Sequence, residues 1–415
     1  MNKIPFKEVC DINLPEELFG RDSLLNQLVI DAKLKHNVNI IGARRFGKTC
    51  LAMTACTLIK RMDISVYPVY INSKADIQGT SAVYRYMIGV LVESLYKDGI
   101  FTESEKIRDI DIFPTDDWTE IAEKLEDLSA SRIQSLFQKV VYLFSDLMDK
   151  TILFIIDEYE YLLKYALDTT AGFMKIRTMS AETLPNGSQP FCFWLIGATS
   201  WDNIITQVPG SGETNTVTAY EYVGPISKES FFKMWDKECS LLENMEQKSI
   251  LKSQREYAYE KSGGVPFFGK VIGANILRNN LVPDYTCCLG HLQQMSNKAL
   301  NEGSYNILKE LAVSPKKLKP SKARNDLRDK GIIIEKEKET FCIAIGYLKD
   351  YIFSDIAENR GKVQSLPESY TLMKAIAEKI ELINKQRINY KKKPIFKLVI
   401  DYSSLENDLS AKFGA

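Results

Sequence analysis

Residues Gly42-Ala43-Arg44-Arg45-Phe46-Gly47-Lys48-Thr49 form a complete G-x-x-x-x-G-K-[ST] phosphate loop, and no other stretch constrains the fold of this chain as tightly. Gly42 and Gly47 permit the sharp backbone path that turns the N–H groups of Ala43, Arg44, Arg45 and Phe46 toward phosphate oxygens. Lys48 sets a positive charge on the β- and γ-phosphates, and the Thr49 hydroxyl is placed to ligate Mg²⁺. A loop of this kind needs a strand before it and a helix after it. His36 to Ile41 is a short apolar run suited to a buried parallel strand, and Cys50 to Lys60 reads as a helix whose N-terminus, at Cys50, faces the phosphates. A chain of this length holds about 0.02 such motifs by chance.

A second element stands 108 residues downstream of Thr49. Thr151 leads an apolar run, Ile152-Leu153-Phe154-Ile155-Ile156, that reads as a buried strand and ends in Asp157-Glu158. An open α/β sheet places its ligand chemistry at such carboxyl ends. Asp157 is expected to bind Mg²⁺, and Glu158 to polarise the attacking water. Phe191 to Gly197 is another buried strand, ending in Ala198-Thr199-Ser200. Thr199 or Ser200 either holds the water or reports on the γ-phosphate, or simply ends the strand. Ile64 to Asn72 reads as a strand with Pro68 pointing to a sheet edge, and Thr218 to Val223 as a last short strand. Ser81 to Tyr96 is helical by periodicity, and Asp22 or Ser23 is expected to cap a helix with Leu24, Leu25 and Leu28 as its buried stripe. Five strands separated by helices imply a parallel sheet covered on both faces.

The chain has 415 residues, enough for two to four domains. Its 54 basic and 54 acidic residues balance, so net charge predicts no polyanion binding. Charge is nonetheless segregated. Residues 101 to 130 hold ten acidic against three basic residues, as an exposed insertion would. Residues 315 to 338 hold nine basic against four acidic ones, among them Lys316, Lys317, Lys319, Lys322, Arg324, Arg328 and Lys330. None of the eight cysteines makes a C-x-x-C pair, and His36 and His291 complete no zinc pattern. Vicinal Cys287-Cys288 is either a redox pair or two ordinary thiols. With no apolar leader at Met1-Asn2-Lys3-Ile4 and no run long enough to span a bilayer, a cytoplasmic setting without membrane contact is expected.

Helical segments follow Ser227, broken at Gly263-Gly264, where a left-handed residue ends one helix and Pro266 opens the next. Between Leu292 and Phe353 the pattern fits a winged helix. Tyr305 to Leu311 and Ser321 to Lys330 are its helices, the second closed by Gly331 and carrying the basic cluster. Residues 331–335 and 341–345 alternate as the two wing strands. The tail from Glu358 carries Lys391-Lys392-Lys393 and a strand-like 395–400 run, with no role assigned.

The order Phe19-Gly20-Arg21, the Arg44-Arg45 phosphate loop, Ile156-Asp157-Glu158-Tyr159, Gly263-Gly264-Val265-Pro266 and a winged helix resembles the archaeal-type P-loop ATPases of the STAND class. These are relatives of AAA+ ATPases and of origin-recognition initiators, and the resemblance covers roughly residues 15 to 356. It implies an α/β P-loop NTPase fold with sheet order 5-1-4-3-2, a helical lid, a winged helix and a short C-terminal extension. The corresponding boundaries are 1–224, 225–285, 286–356 and 357–415. By resemblance alone, Gly20 and Arg21 lie near the adenine of ATP and Pro266 against the base. AAA+ rings usually carry an arginine between the fourth and fifth strands, whereas Ser200 to Val223 contains none. Since an arginine finger is worth on the order of 10³ to 10⁵ in rate, slow ATP hydrolysis is expected, with Arg44, Arg45 or Arg177 as substitutes. The expected function is an ATP-driven conformational switch in signalling, regulation or defence, acting on an effector or regulatory protein, with a homo-oligomer as a further partner. The alternative is an ATP-controlled DNA-binding regulator or initiator using the winged helix, and a non-hydrolysing scaffold is the third reading.

Overall fold

The computed structural model describes residues 5–7, 15–62, 64–73, 80–100, 125, 128–161, 180, 182–184, 187, 189–201, 217, 219–279, 283–293, 295 and 302–359. The acidic 101–124 stretch, Arg177 and the tail beyond residue 359 fall outside them.

The first half alternates helix and strand: α1 (Asp22–Lys33), β1 (Val38–Ile41), α2 (Lys48–Arg61), β2 (Val66–Asn72), α3 (Thr80–Lys97), α4 (Ala130–Met148), β3 (Thr151–Asp157), β4 (Phe191–Gly197) and β5 (Ala219–Tyr222). All five strands are parallel, in the order β2-β3-β4-β1-β5, which read from the other edge is 5-1-4-3-2. Pro68 sits in β2, an edge strand, where its missing N–H leaves no ladder bond unmade.

Strand periodicity sorts the core into two clusters. Ile152, Phe154 and Ile156 of β3, with Phe191, Phe193 and Leu195 of β4, face α3 and α4. There Phe137 packs edge-on against Phe191 at 5.8 Å between ring centroids. The intervening Leu153 and Ile155 of β3, and Cys192, Trp194 and Ile196 of β4, face α1 and α2. Both faces are apolar because helices cover both, which is why these strands show no polar alternation.

Four helices follow: α5 (Lys228–Ser240), α6 (Met245–Ser253), α7 (Arg255–Ser262) and α8 (Pro266–Asn279). Ser227 caps α5 by accepting from the Ser230 N–H, and Asn244 caps α6 likewise. Gly263 (φ 63°) and Gly264 (φ 76°) both take the left-handed conformation that separates α7 from α8. After the short α9 (Leu289–Gln293) comes a C-terminal unit: α10 (Glu302–Val313), β6 (Lys316–Lys317), α11 (Lys322–Asp329), β7 (Ile333–Glu337), β8 (Thr340–Ile343) and α12 (Gly346–Asn359). Its three strands form an antiparallel sheet in the order β6-β8-β7. The α1–α2 face of the large sheet, the four helices and the C-terminal unit share one continuous apolar core.

The expected cap of α1 is corrected. The N-cap position is Arg21, and no side chain caps the helix. Arg21 is turned inward instead, as described below. Cys287 and Cys288 are free thiols with Sγ atoms 3.5 Å apart. Cys50 is disulfide-bonded, a pairing of which the cysteine spacing gave no sign. Among the described residues no helix is long and apolar enough to cross a membrane.

Candidate nucleotide site

Four strand ends open on one edge of the sheet. Ile41 lies opposite Gly197, and Asp157 opposite Ile196 on one side and Asn72 on the other. The phosphate loop leaves β1 at Gly42, whose N–H donates to the Gly197 carbonyl at 3.2 Å. A Cβ at Gly42 would fall 2.5 Å from the Val223 carbonyl oxygen, so close approach of β5 requires glycine there. The loop turns through Arg45 (φ 71°) and Gly47 (φ 87°). Phe46 is buried beneath it, and Gly47 is the N-cap of α2, with no side-chain cap on the helix. The first-turn donors of α2, from Lys48 to Cys50, therefore face the mouth of the loop, the arrangement that binds anions.

Lys48 is buried, and its Nζ donates to the carbonyls of Gly42 at 2.8 Å and Ala43 at 3.1 Å. Burial pulls its pKa down, and the carboxylates of Glu160, Glu158 and Asp157 oppose that shift. The Thr49 hydroxyl donates to Asp157 Oδ2 at 2.6 Å, joining the two residues expected to hold a metal. Tyr70 was not anticipated. Its hydroxyl donates to the same Oδ2 at 2.7 Å, while the Glu158 N–H donates to Oδ1 at 2.9 Å. Burial and the Asp157 charge push the Tyr70 pKa well up, which keeps it a donor. The signal for Tyr70 lay in its place near the carboxyl end of β2, in register with β3.

Glu158 follows in a left-handed conformation (φ 55°) at the strand end, half-buried. Thr199 comes to the same edge by its backbone. Its carbonyl accepts from the Tyr159 hydroxyl at 2.6 Å, and its N–H donates to Glu160 Oε1 at 2.9 Å. Glu160, absent from the expected site, is thus the acid that bridges the ends of β3 and β4. Its spacing, three residues after Asp157 on the turn out of the strand, was the available clue.

Gly20 (φ 64°) packs on Ser230, and Arg21 reaches the loop from the other side. The Arg21 guanidinium donates to the Phe46 carbonyl at 3.3 Å and to the Gly224 carbonyl. Burial lowers its pKa to about 10, so it stays charged at neutral pH. Pro266 is the first residue of α8, and the neighbouring Phe267 ring lies 4.6 Å beneath the Arg45 guanidinium. Arg44 donates to the Tyr161 hydroxyl at 3.2 Å.

The C-terminal unit touches the loop directly. The Lys330 carbonyl accepts from the Ala43 N–H at 3.3 Å, and Gly331 (φ 70°) packs on Phe46, Gly224 and Pro225. The basic cluster beside it is partly neutralised. Lys316 pairs with Glu310, Arg328 with Asp329 and Lys330 with Asp326, and Arg324 lies over Phe341. Lys317, Lys319 and Lys322 are exposed.

The residues fit a Mg²⁺–nucleotide. Thr49 and Asp157 offer two hard oxygens side by side, the partial set that suits a cation completed by phosphates and water. Among the described residues no cluster of three or more His, Cys, Asp or Glu could hold a metal unaided.

No protein-family model matches the chain, and no curated protein matches it in sequence. Solved structures do. The Walker-type ATPase PABY2304 of Pyrococcus abyssi is 14% identical, with a TM-score of 0.55 over 84% of this chain and 99% of that one. The Aeropyrum pernix ORC2 protein in its ADP form is 14% identical at a TM-score of 0.47, covering 86% of this chain and 98% of its own. The Aeropyrum pernix ORC1 protein in complex with DNA is 13% identical at 0.42, covering 86% and 94%. At 14% identity the likeness to the Pyrococcus abyssi protein is one of fold. The chain shares the fold of that Walker-type ATPase, a P-loop NTPase fold with a parallel five-stranded sheet.

Proposed function

We propose that this protein is an ATP-binding, slowly hydrolysing conformational switch of the STAND type, in which residues 225–285 act as a lid and the C-terminal unit is a winged helix. The observation that carries the reading is the hydrogen bond from the Ala43 N–H to the Lys330 carbonyl. A donor of the phosphate loop is engaged by the C-terminal unit, so phosphate binding and docking of that unit compete for one group. A ligand shifts such an equilibrium only through its different affinity for the two states, and this contact supplies the difference.

In this reading Lys48 and the loop N–H groups bind the phosphates, and Thr49 and Asp157 hold Mg²⁺. When bound, Mg²⁺ supplies Lewis-acid polarisation of the phosphoryl oxygens. Glu158 orients the attacking water and takes its proton, Thr199 stands at the γ-phosphate end, and Gly20, Arg21 and Pro266 line the base side. Tyr70 fixes the Asp157 carboxylate. Arg44 and Arg45 stand on the phosphate loop itself, each engaged by an aromatic partner, which agrees with slow turnover. The downstream partner is an effector protein.

The test is Mg²⁺-dependent ATP turnover across a protein concentration series, for wild type and Glu158→Gln. Slow turnover, independent of concentration and lost in the variant, is expected. Turnover rising steeply with concentration would mean a site shared between copies, and turnover surviving in Glu158→Gln would remove that residue from its role.

The DNA-binding alternative rests on exposed Lys317, Lys319 and Lys322 in the β6–α11 segment. Affinity for duplex DNA falling steeply with salt would support it. The internal pairing of Lys316, Arg328 and Lys330 leaves the switch the better supported reading.

A further inference from the structure

Glu160 takes no part in the function proposed above, yet its carboxyl group is built into the site. Oε1 accepts from the N–H groups of Thr199, at 2.9 Å, and Ala198. The group rests on Gly197, where a Cβ would fall 2.5 Å from both Cδ and Oε2. Oε2 is buried and has no hydrogen-bond partner. A buried carboxylate oxygen without a donor is costly, so a compensating charge is required. Lys48 is placed to provide it: its Nζ donates to the Gly42 carbonyl at 2.8 Å, and the Gly42 N–H donates at 3.2 Å to the carbonyl of Gly197, the residue on which the Glu160 carboxyl rests. Asp157 and Glu158 on the same turn and Arg44 on the loop are the other charges there, and Gly197, Ala198 and Thr199 at the β4 end carry none.

The topology makes this placement consequential. β4 lies between β3 and β1, so its carboxyl end stands directly behind the phosphate loop. The loop lysine serves the β- and γ-phosphates. A third phosphate and the Glu160 carboxylate would therefore draw on one ammonium, whereas a diphosphate adds no charge at that end.

We propose that Glu160 is a specificity-determining residue that sets the preference between nucleoside tri- and diphosphate, its carboxylate serving as the counter-ion of Lys48 that a γ-phosphate must displace. The proposal rests on the nucleotide reading of the site. It also gives the γ-phosphate a mechanical output. Oε1 holds two N–H groups, so moving the carboxylate releases the end of β4.

The experiment measures equilibrium Kd values for ATP and ADP, with Mg²⁺, in wild type, Glu160→Gln and Gly197→Ala. Gln keeps the oxygen that accepts from Ala198 and Thr199 and removes the charge. For like charges several ångströms apart at the effective dielectric of such sites, the ADP-to-ATP Kd ratio should rise by about tenfold or more. Gly197→Ala pushes the carboxylate off its seat by an independent route and should move the ratio the same way, so the test survives if one variant fails to fold. A ratio unchanged in the folded variants, or both affinities falling together, overturns the proposal and leaves the nucleotide site standing. If wild type binds neither nucleotide, the site reading fails and the proposal with it.

Discussion

Gly331→Ala tests whether docking of the C-terminal unit restrains the phosphate loop. Gly331 has a φ of +70°, where a side chain costs about 1–2 kcal/mol. Its Cβ would also meet Pro225 Cδ at 3.0 Å and Phe46 Cε1 and Gly224 Cα at 3.1 Å, all shorter than the ~3.5–4.0 Å carbon contact optimum. The docked arrangement should lose about 2 kcal/mol or more, which moves the docked-to-released ratio by roughly 30-fold. Lys330, the neighbouring residue, would then surrender the Ala43 N–H, and the apparent Kd for ATP should fall by up to that factor. The assay is titration of a fluorescent ATP analogue alongside thermal unfolding, with Gly99→Ala as control. Gly99 has a φ of +72° but no atom within 4 Å of its built Cβ, so it carries the backbone cost alone. Tighter ATP binding in Gly331→Ala with unchanged binding in Gly99→Ala is expected. Loss of thermal stability in Gly331→Ala without any gain in affinity would refute the argument, because the contact would then hold the fold together and gate nothing.

Other outcomes follow from the same geometry. Tyr70→Phe removes one of two hydroxyls on Asp157 Oδ2 and should cost about 1–3 kcal/mol of stability, with Mg²⁺ dependence of ATP binding shifted to higher metal concentration. Phe137→Ala empties the centre of the α3–α4 core and should cost about 3–5 kcal/mol in denaturant unfolding, leaving ATP affinity unchanged in the folded fraction. Burial raises the Glu160 pKa above its ordinary value, so its stabilising contribution is complete below about pH 4.5 and is lost as pH rises through the folded-state value. Glu160→Gln should therefore gain thermal stability relative to wild type as pH is raised from 4.5 to 8, and a constant difference would contradict the assigned burial.

What could be read from sequence was what is contiguous. The phosphate loop is eight adjacent residues between a strand and a helix, and the β3 and β4 runs declare themselves because burial on both faces strips them of polar alternation. Gly263-Gly264 and Gly331 were legible because left-handed turns demand glycine. The groups that were missed act across the chain. Tyr70 meets Asp157 only because β2 and β3 are paired in register, and Lys330 meets Ala43 through a contact between units far apart in sequence. Glu160 looked like one more charge in a polar turn, since no local pattern reveals that Gly197 leaves room for its carboxyl group. At α1, local propensity nominated Asp22 or Ser23 as cap, and tertiary demand for Arg21 at the loop left the helix uncapped.

The single apolar core that runs from the α1–α2 face through the four helices into the C-terminal unit bears on how such a switch would respond to temperature. The units are joined by packed hydrocarbon rather than across a wet cleft, so release must expose apolar surface and carry a positive heat-capacity change. The restraint is then strongest in the warm part of the working range and slackens on cooling, as hydrophobic association does. The α3–α4 face keeps its own separate core and stays a fixed frame throughout. A calorimetric series of ATP binding at several temperatures would register the moving half of the molecule against that frame.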